Sequence, residues 1–173
     1  MIEAKVQGIP DVNAALREIV PKLRVRAIRN ALAAGARLVR NSARGNTPVL
    51  NMGNPASAQA VRRGVRRVGT VKRAISVRTS KLAKRRGDIG VFVAVRPAKA
   101  GARGARNPND PFYWRWLNFG FTPRAKHRGA GRAQPGRRFL ERGAAMLGQA
   151  LQVFISTIGP QIAKLNKPKA PAP

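Results

Sequence analysis

Between Asp11 and Arg44, apolar or small residues return every three to four positions: Leu16, Ile19, Val20, Leu23, Ala27, Ile28, Ala31, Leu32, Gly35, Leu38 and Val39. That spacing sets them along one face of a helix, and a helix this long must lay that face on something. Asp11 follows Pro10 and is expected to cap the first turn through its carboxylate. Pro21 has no amide hydrogen and its ring clashes with the preceding turn, so the stretch is expected to split into a short helix and a long one starting near Lys22. Ala31, Ala34 and Gly35 are small enough to admit a second backbone, as a helix lying across a sheet requires. Arg17, Arg24, Arg26, Arg37, Arg40 and Arg44 fall mainly off the stripe, which suits a solvated face and a phosphate-facing one equally.

Two further segments carry the rest of a core. Thr70 to Thr79 alternates, with Ile75, Val77 and Thr79 on one side, and Ile89 to Arg96 alternates more strongly, with Ile89, Val91, Val93 and Val95 on one face and Phe92 on the other. Both read as strands, the second ended by Pro97. Ser80 to Asp88 between them reads as a basic hairpin or turn. From Phe139 a helical stripe of Leu140, Ala144, Leu147, Leu151, Phe154, Ile155 and Ile158 resumes, and Gly159-Pro160 is expected to interrupt it. The fold class expected is α+β: a long N-terminal helix and a C-terminal helix packed on a small antiparallel β-sheet, with long basic loops or arms. The expected organisation is one domain over residues 1–159, with basic arms at 45–69 and 97–111, and a flexible Lys/Pro/Ala tail at 160–173. Further strands are candidates at Asn118 to Pro123 and at Ala4 to Gly8.

Charge decides which functions remain. Thirty-five Lys and Arg stand against six Asp and Glu, a formal charge of +29 on 173 residues. A compact chain with that charge repels itself unless a polyanion or an oppositely charged partner screens it, and nucleic acid is the simplest such partner. The 43% of hydrophobic residues are too many for a disordered basic tail. The acids, Glu3, Asp11, Glu18, Asp88, Asp110 and Glu141, are scattered singly, whereas Mg²⁺-dependent phosphate chemistry needs them clustered. There is no cysteine, and the single histidine, His127, sits in a Gly/Arg/Lys loop that reads as solvated. No catalytic, metal or cofactor site is therefore expected. No run approaches the roughly 18 apolar residues of a membrane span, and Met1 to Pro10 lacks the apolar core of a secretion signal, so a soluble chain without membrane contact is expected.

Residues 59–106 hold 15 of the 35 basic groups, with Asp88 the one acid and Phe92 the one aromatic. Stacking on single strands is thus unsupported, and what remains is backbone contact without base reading. The candidate nucleic-acid-binding residues are Arg62, Arg63, Arg66, Arg67, Lys72, Arg73, Arg78, Lys81, Lys84, Arg85 and Arg86. The competing reading has the same arms gripping acidic surfaces of neighbouring proteins. Pro111 to Gly120 gathers both tryptophans, the only tyrosine and two of the six phenylalanines, as either a core plug or a contact surface. Tyr113, Trp116 and Leu117 are expected toward the core, with Trp114 more exposed. The candidate protein-interface residues are Tyr113, Trp114, Trp116, Phe119, Phe121, Arg138 and Phe139.

Read in order, Val6-Gln7-Gly8 before the amphipathic helix, Ala31 to Ala36 inside it, Thr47-Pro48 and Gly53 after it, then Tyr113, Phe119-Gly120 and Phe139-Leu140, form a series from Val6 to about Phe154. In this series the chain resembles the tail-completion, or head-tail joining, family of long-tailed bacteriophages, small α+β components similar in role to the minor tail protein Z of lambda-type phages. Three positions depart from the family pattern: Asn118 stands where an acid is usual, Phe121 where a Thr is usual, and Arg138-Phe139 where Pro-Phe is usual, with Pro135 displaced. The resemblance implies a structural virion protein assembled in the host cytoplasm, forming a ring, a hexamer, between the head-neck proteins and the tail tube. Its implied partners are neck or head-completion proteins, tail-terminator or tail-tube proteins, and double-stranded DNA held non-specifically, with basic residues lining the channel. The alternative from another class is a ribosomal-type or other cellular RNA- or DNA-binding protein with basic arms.

Overall fold

A computed structural model describes residues 21–101, 103–122 and 133–165. The expected strand at Ala4 to Gly8, the expected short helix after Asp11, His127 and most of the C-terminal tail lie outside the described residues. The chain is α+β.

Helix α1 runs from Pro21 to Gly45, beginning where proline is best tolerated. Its buried positions are Ala27, Ala31, Gly35, Val39 and Ala43, one every fourth residue, so they form a single row. Thr47 extends the row, its hydroxyl donating to the Ala43 carbonyl at 2.6 Å. Because the row is made almost wholly of Ala and Gly, other backbones come to contact distance. A Cβ on Gly35 would fall on the carbonyl oxygen of Ala150, and one on Gly143 would lie 2.7 Å from the Ala43 Cβ. Those two partners belong to helices α7 (Leu147–Leu165) and α6 (Phe139–Ala144), which both pack on α1.

The sheet packs on the same helix. Strand β1 (Ile75–Thr79) pairs antiparallel with β2 (Val91–Val95), matching Ile75 with Val95, Val77 with Val93 and Thr79 with Val91. The expected first strand is thus half as long as its alternation suggested, because Thr70–Ala74 forms a helical turn, α3. Tertiary bonds explain the override: the Thr70 hydroxyl reaches the carbonyls of Arg67 and Pro108, and Arg44 donates to those of Arg73 and Ile75. The basic connection between the strands holds one short helix, α4 (Lys81–Arg85), capped by the Ser80 hydroxyl, which accepts from the Ala83 amide at 3.1 Å. The first basic arm contains α2 (Pro55–Arg62), whose N-cap Asn54 accepts from the Ala56 amide. After the second arm come α5 (Trp114–Phe119) and a two-residue ladder of β3 (Gly120–Phe121) with β4 (Gln134–Pro135), so one of the two further strands suggested by the sequence is present.

Two apolar clusters close the structure. Ala31, Ile158 and Ile162, flanked by Ile28 and Phe154, join α1 to α7. Ala43, Val71, Ile75 and Phe139, flanked by Val93, Val95, Tyr113, Trp114, Leu117 and Leu140, join α1 to the sheet, α5 and α6. Full burial of a side chain such as Phe139 stabilises by about 1.5–3 kcal/mol. The expected end of the last helix at Gly159-Pro160 is corrected: α7 carries Pro160 inside it and continues to Leu165. Proline there removes one helical hydrogen bond, but Ile158 and Ile162 are buried on either side and hold the helix in register.

Candidate nucleic-acid interface and protein-contact face

The structure divides the expected basic residues into two groups. The first surrounds α3 and the arm that follows β2. Arg62 ends α2 and Arg63 is its C-cap, both exposed. Arg66 lies over the Tyr113 ring at 5.8 Å, a cation–π distance, and Arg67 donates from Nη1 to Asn109 Oδ1 at 2.9 Å. Lys72 and Arg73 are exposed on α3. Burial pushes the Tyr113 hydroxyl above its ordinary pKa, while the charges of Arg66 and Arg73 pull it the other way. The second group, Lys81, Lys84, Arg85 and Arg86, is exposed on and just after α4, at the far end of the β1–β2 ladder, roughly 15 Å away along five residues of strand. Arg78 sits between them, opposite Phe92 in the ladder.

The arm at 97–111 is tied down. Asp110, almost fully buried, accepts from the amides of Ala98 and Gly104, the latter at 2.6 Å. The Asn107 amide donates to the Ala100 carbonyl, and its Oδ1 accepts from the Asn109 amide. A cleft of 250 Å³ opens between this arm, α3 and the start of β1, with Arg73 and Arg96 among its walls. Arg96 was not among the expected site residues. The signal for it is its place in the outward series Phe92, Ala94, Arg96, across from Ser76 and Ala74. Arg44 is also used in a way its sequence position did not suggest: burial first, and then the charge of Arg40, lower its pKa, and its guanidinium joins α1 to β1.

The aromatic segment is rearranged relative to expectation. Tyr113, Trp114 and Leu117 pack against the core, whereas Trp116 is 52% exposed. Helix α5 starts at Trp114, so Trp114 and Leu117 share its inner face and Trp116 points away from it. Phe112, Trp116 and Phe121 form an exposed series with ring centres 5.9 and 6.0 Å apart, and Phe119, 67% exposed, lies beside Trp114. Phe139, expected at a protein contact, is wholly buried in the second cluster. Arg138 is exposed and left-handed, with φ of 45°, and offers α6 no side-chain cap. Asn118, fully buried, does so from α5: its Oδ1 accepts from the Leu140 amide at 3.1 Å and its Nδ2 donates to both Glu141 carboxylate oxygens at 3.0 Å. A carboxylate at this position would have no proton to give Glu141, so the amide at 118 suits the partner this chain supplies.

A cleft of 540 Å³ lies elsewhere, between α1, β2, α6 and α7, and its walls are apolar. No Lys or Arg is among the residues that line it. No curated protein and no solved structure matches the chain. A family model does, over residues 11–120, more than half of the chain; its description is "Bacteriophage HK97-gp10, putative tail-component". The chain belongs to this HK97-gp10-like family. It is a structural component of a phage tail, and hence of the virion. The matched span covers α1 to α5 together with the basic groups from Arg62 to Arg96, so these cations sit inside the span the family model matches. Among the described residues, no helix is long and apolar enough to cross a membrane.

Proposed function

We propose that this tail component forms a ring, a hexamer, that joins the tail tube to the head-neck complex, and that its basic residues contact double-stranded DNA in the channel without reading its sequence. The observation that carries the proposal is the set of exposed cations on α2, α3 and α4, none of which lines the apolar cleft between α1, β2, α6 and α7. A ring subunit needs both surfaces. The cations attract a phosphate backbone and release its counterions, while the apolar face meets neighbouring proteins whose charge would otherwise be repelled. Exposed arginines carry bidentate donors suited to phosphate oxygens.

The partners expected on the aromatic face are neck, head-completion, tail-terminator or tail-tube proteins, with Trp116, Phe119 and Phe121 as anchors and Arg138 at the rim. The ribosomal-type alternative gives way to membership of the tail family. The test is electron microscopy of the purified chain and of the particle that contains it. A ring at the head-tail junction with α4 facing the channel is the expected result; α4 facing outward, onto a neighbouring protein, overturns the DNA part and favours the grip on acidic protein surfaces.

A further inference from the structure

We propose that the cleft between α3, the start of β1 and the arm after β2 is a pocket for one backbone phosphate of the DNA. This rests on the DNA-contact reading above and deepens it by naming where a phosphate is gripped. At 250 Å³ the cleft has room for about eight waters at ~30 Å³ each, enough for a phosphate group with part of its hydration. Arg73 and Arg96 reach it from two different elements, each with a planar fork of donors matched to phosphate oxygens. Ser76, on the outward face of β1, borders the same cleft, and its hydroxyl is buried with no hydrogen-bond partner among the described residues. Buried polar atoms are nearly always paired, so an orphan hydroxyl on a residue that lines one cleft with Arg73 and Arg96 points to a missing acceptor. Asn109 adds a side-chain amide: its Oδ1 is held by Arg67, which leaves its NH₂ to donate.

Among the described residues, no carboxylate lines the cleft. Asp110, the nearest acid in sequence to the cleft wall, is turned to the amides of Ala98 and Gly104. The walls are fixed before any ligand arrives. Arg44 holds the carbonyls of Arg73 and Ile75, the Arg96 amide donates to the Ala74 carbonyl at 2.9 Å, and the Thr70 hydroxyl ties α3 to Pro108. The α4 cations share the charge but not the concavity. They contribute to attraction, while the cleft sets where along the backbone the chain sits.

The test measures binding of a 20-base-pair duplex by fluorescence anisotropy across a salt series, together with the Tm of the full chain in inorganic phosphate and in chloride of equal ionic strength. Three variants are compared: Arg96→Gln, Ser76→Ala, and Lys84→Gln with Arg85→Gln at the tip. Arg96→Gln is expected to reduce the slope of log K against log salt by about 0.9, the loss of one phosphate contact, with Tm in chloride unchanged. Ser76→Ala removes an orphan hydroxyl, so its Tm in chloride is expected to equal or exceed that of the parent, while the Tm gain in phosphate shrinks. The tip variant is expected to lose slope and keep the phosphate gain. A parent chain that binds duplex while Arg96→Gln retains the full slope overturns the pocket and leaves the DNA reading intact. A parent chain that ignores duplex at every salt concentration, yet gains Tm in phosphate and loses that gain in Arg96→Gln, overturns the DNA reading and assigns the pocket to free phosphate. No phosphate gain and no duplex binding overturns both.

Discussion

Around α3, Arg44, Arg66 and Arg67 each meet a defined neighbour, a carbonyl, an aromatic ring and an amide oxygen respectively, whereas at the α4 tip Lys81, Lys84, Arg85 and Arg86 stand exposed. Along the chain the two groups read alike, as arginine-rich segments of low hydrophobicity. The difference comes from what lies beside them. The first group borders the arm at 97–111, which the buried carboxylate of Asp110 gathers into a fixed wall; the second sits at the end of a two-stranded ribbon. Equal charge therefore serves two purposes, one structural and positional, the other a source of attraction at a distance.

The comparison fails most visibly if its anchor is dispensable. Asp110→Ala leaves two amides without their acceptor and is expected to cost about 2–4 kcal/mol, lowering Tm by several degrees and opening residues 97–111 to limited proteolysis; calorimetry with an unmoved Tm would sink the idea that this arm is a wall. Arg44→Met keeps the apolar stem and loses the bonds to β1, with an expected loss of about 2 kcal/mol in denaturant unfolding. Arg67→Ala removes one exposed hydrogen bond to Asn109 and is expected to cost less than about 1 kcal/mol. Replacing all four tip cations by Gln is expected to leave Tm unmoved while flattening the salt dependence of duplex binding; a fall in Tm would show that the tip is structural after all. The smallest effect concerns Tyr113. Its raised pKa means the folded chain favours the phenol, so the stability it contributes is complete below about pH 10 and is lost as pH rises through the folded value. Tyr113→Phe is expected to remove that part of the alkaline loss, seen as a flatter Tm profile above pH 10.

Legibility followed locality. The start of α1 at Pro21, the strand at Val91–Val95 and the helical stripe after Phe139 were readable because proline geometry and apolar period act within a few residues. The helical turn at Thr70–Ala74 was not, since the bonds from Arg44 and to Pro108 that shape it come from distant parts of the chain. The exchange of Trp114 and Trp116 was not legible, because packing against the cluster around Phe139 decides which ring of α5 turns inward. The cap on α6 was likewise illegible, because Asn118 supplies it from another helix.

By itself the sequence determined the class of the molecule: a +29 charge with scattered acids excludes clustered-carboxylate chemistry and calls for a polyanion or an acidic partner, and the small residues of α1 demand a close-packed neighbour. Only the tertiary structure decided which cations are organised, that Arg96 and Ser76 share a cleft with Arg73, and that Phe139 belongs to the core. The physical reason is one of range. Net charge and helical period are sums over neighbouring residues, while a pocket is made by residues far apart in sequence, whose meeting depends on how Ala43 and Gly143 let the helices approach.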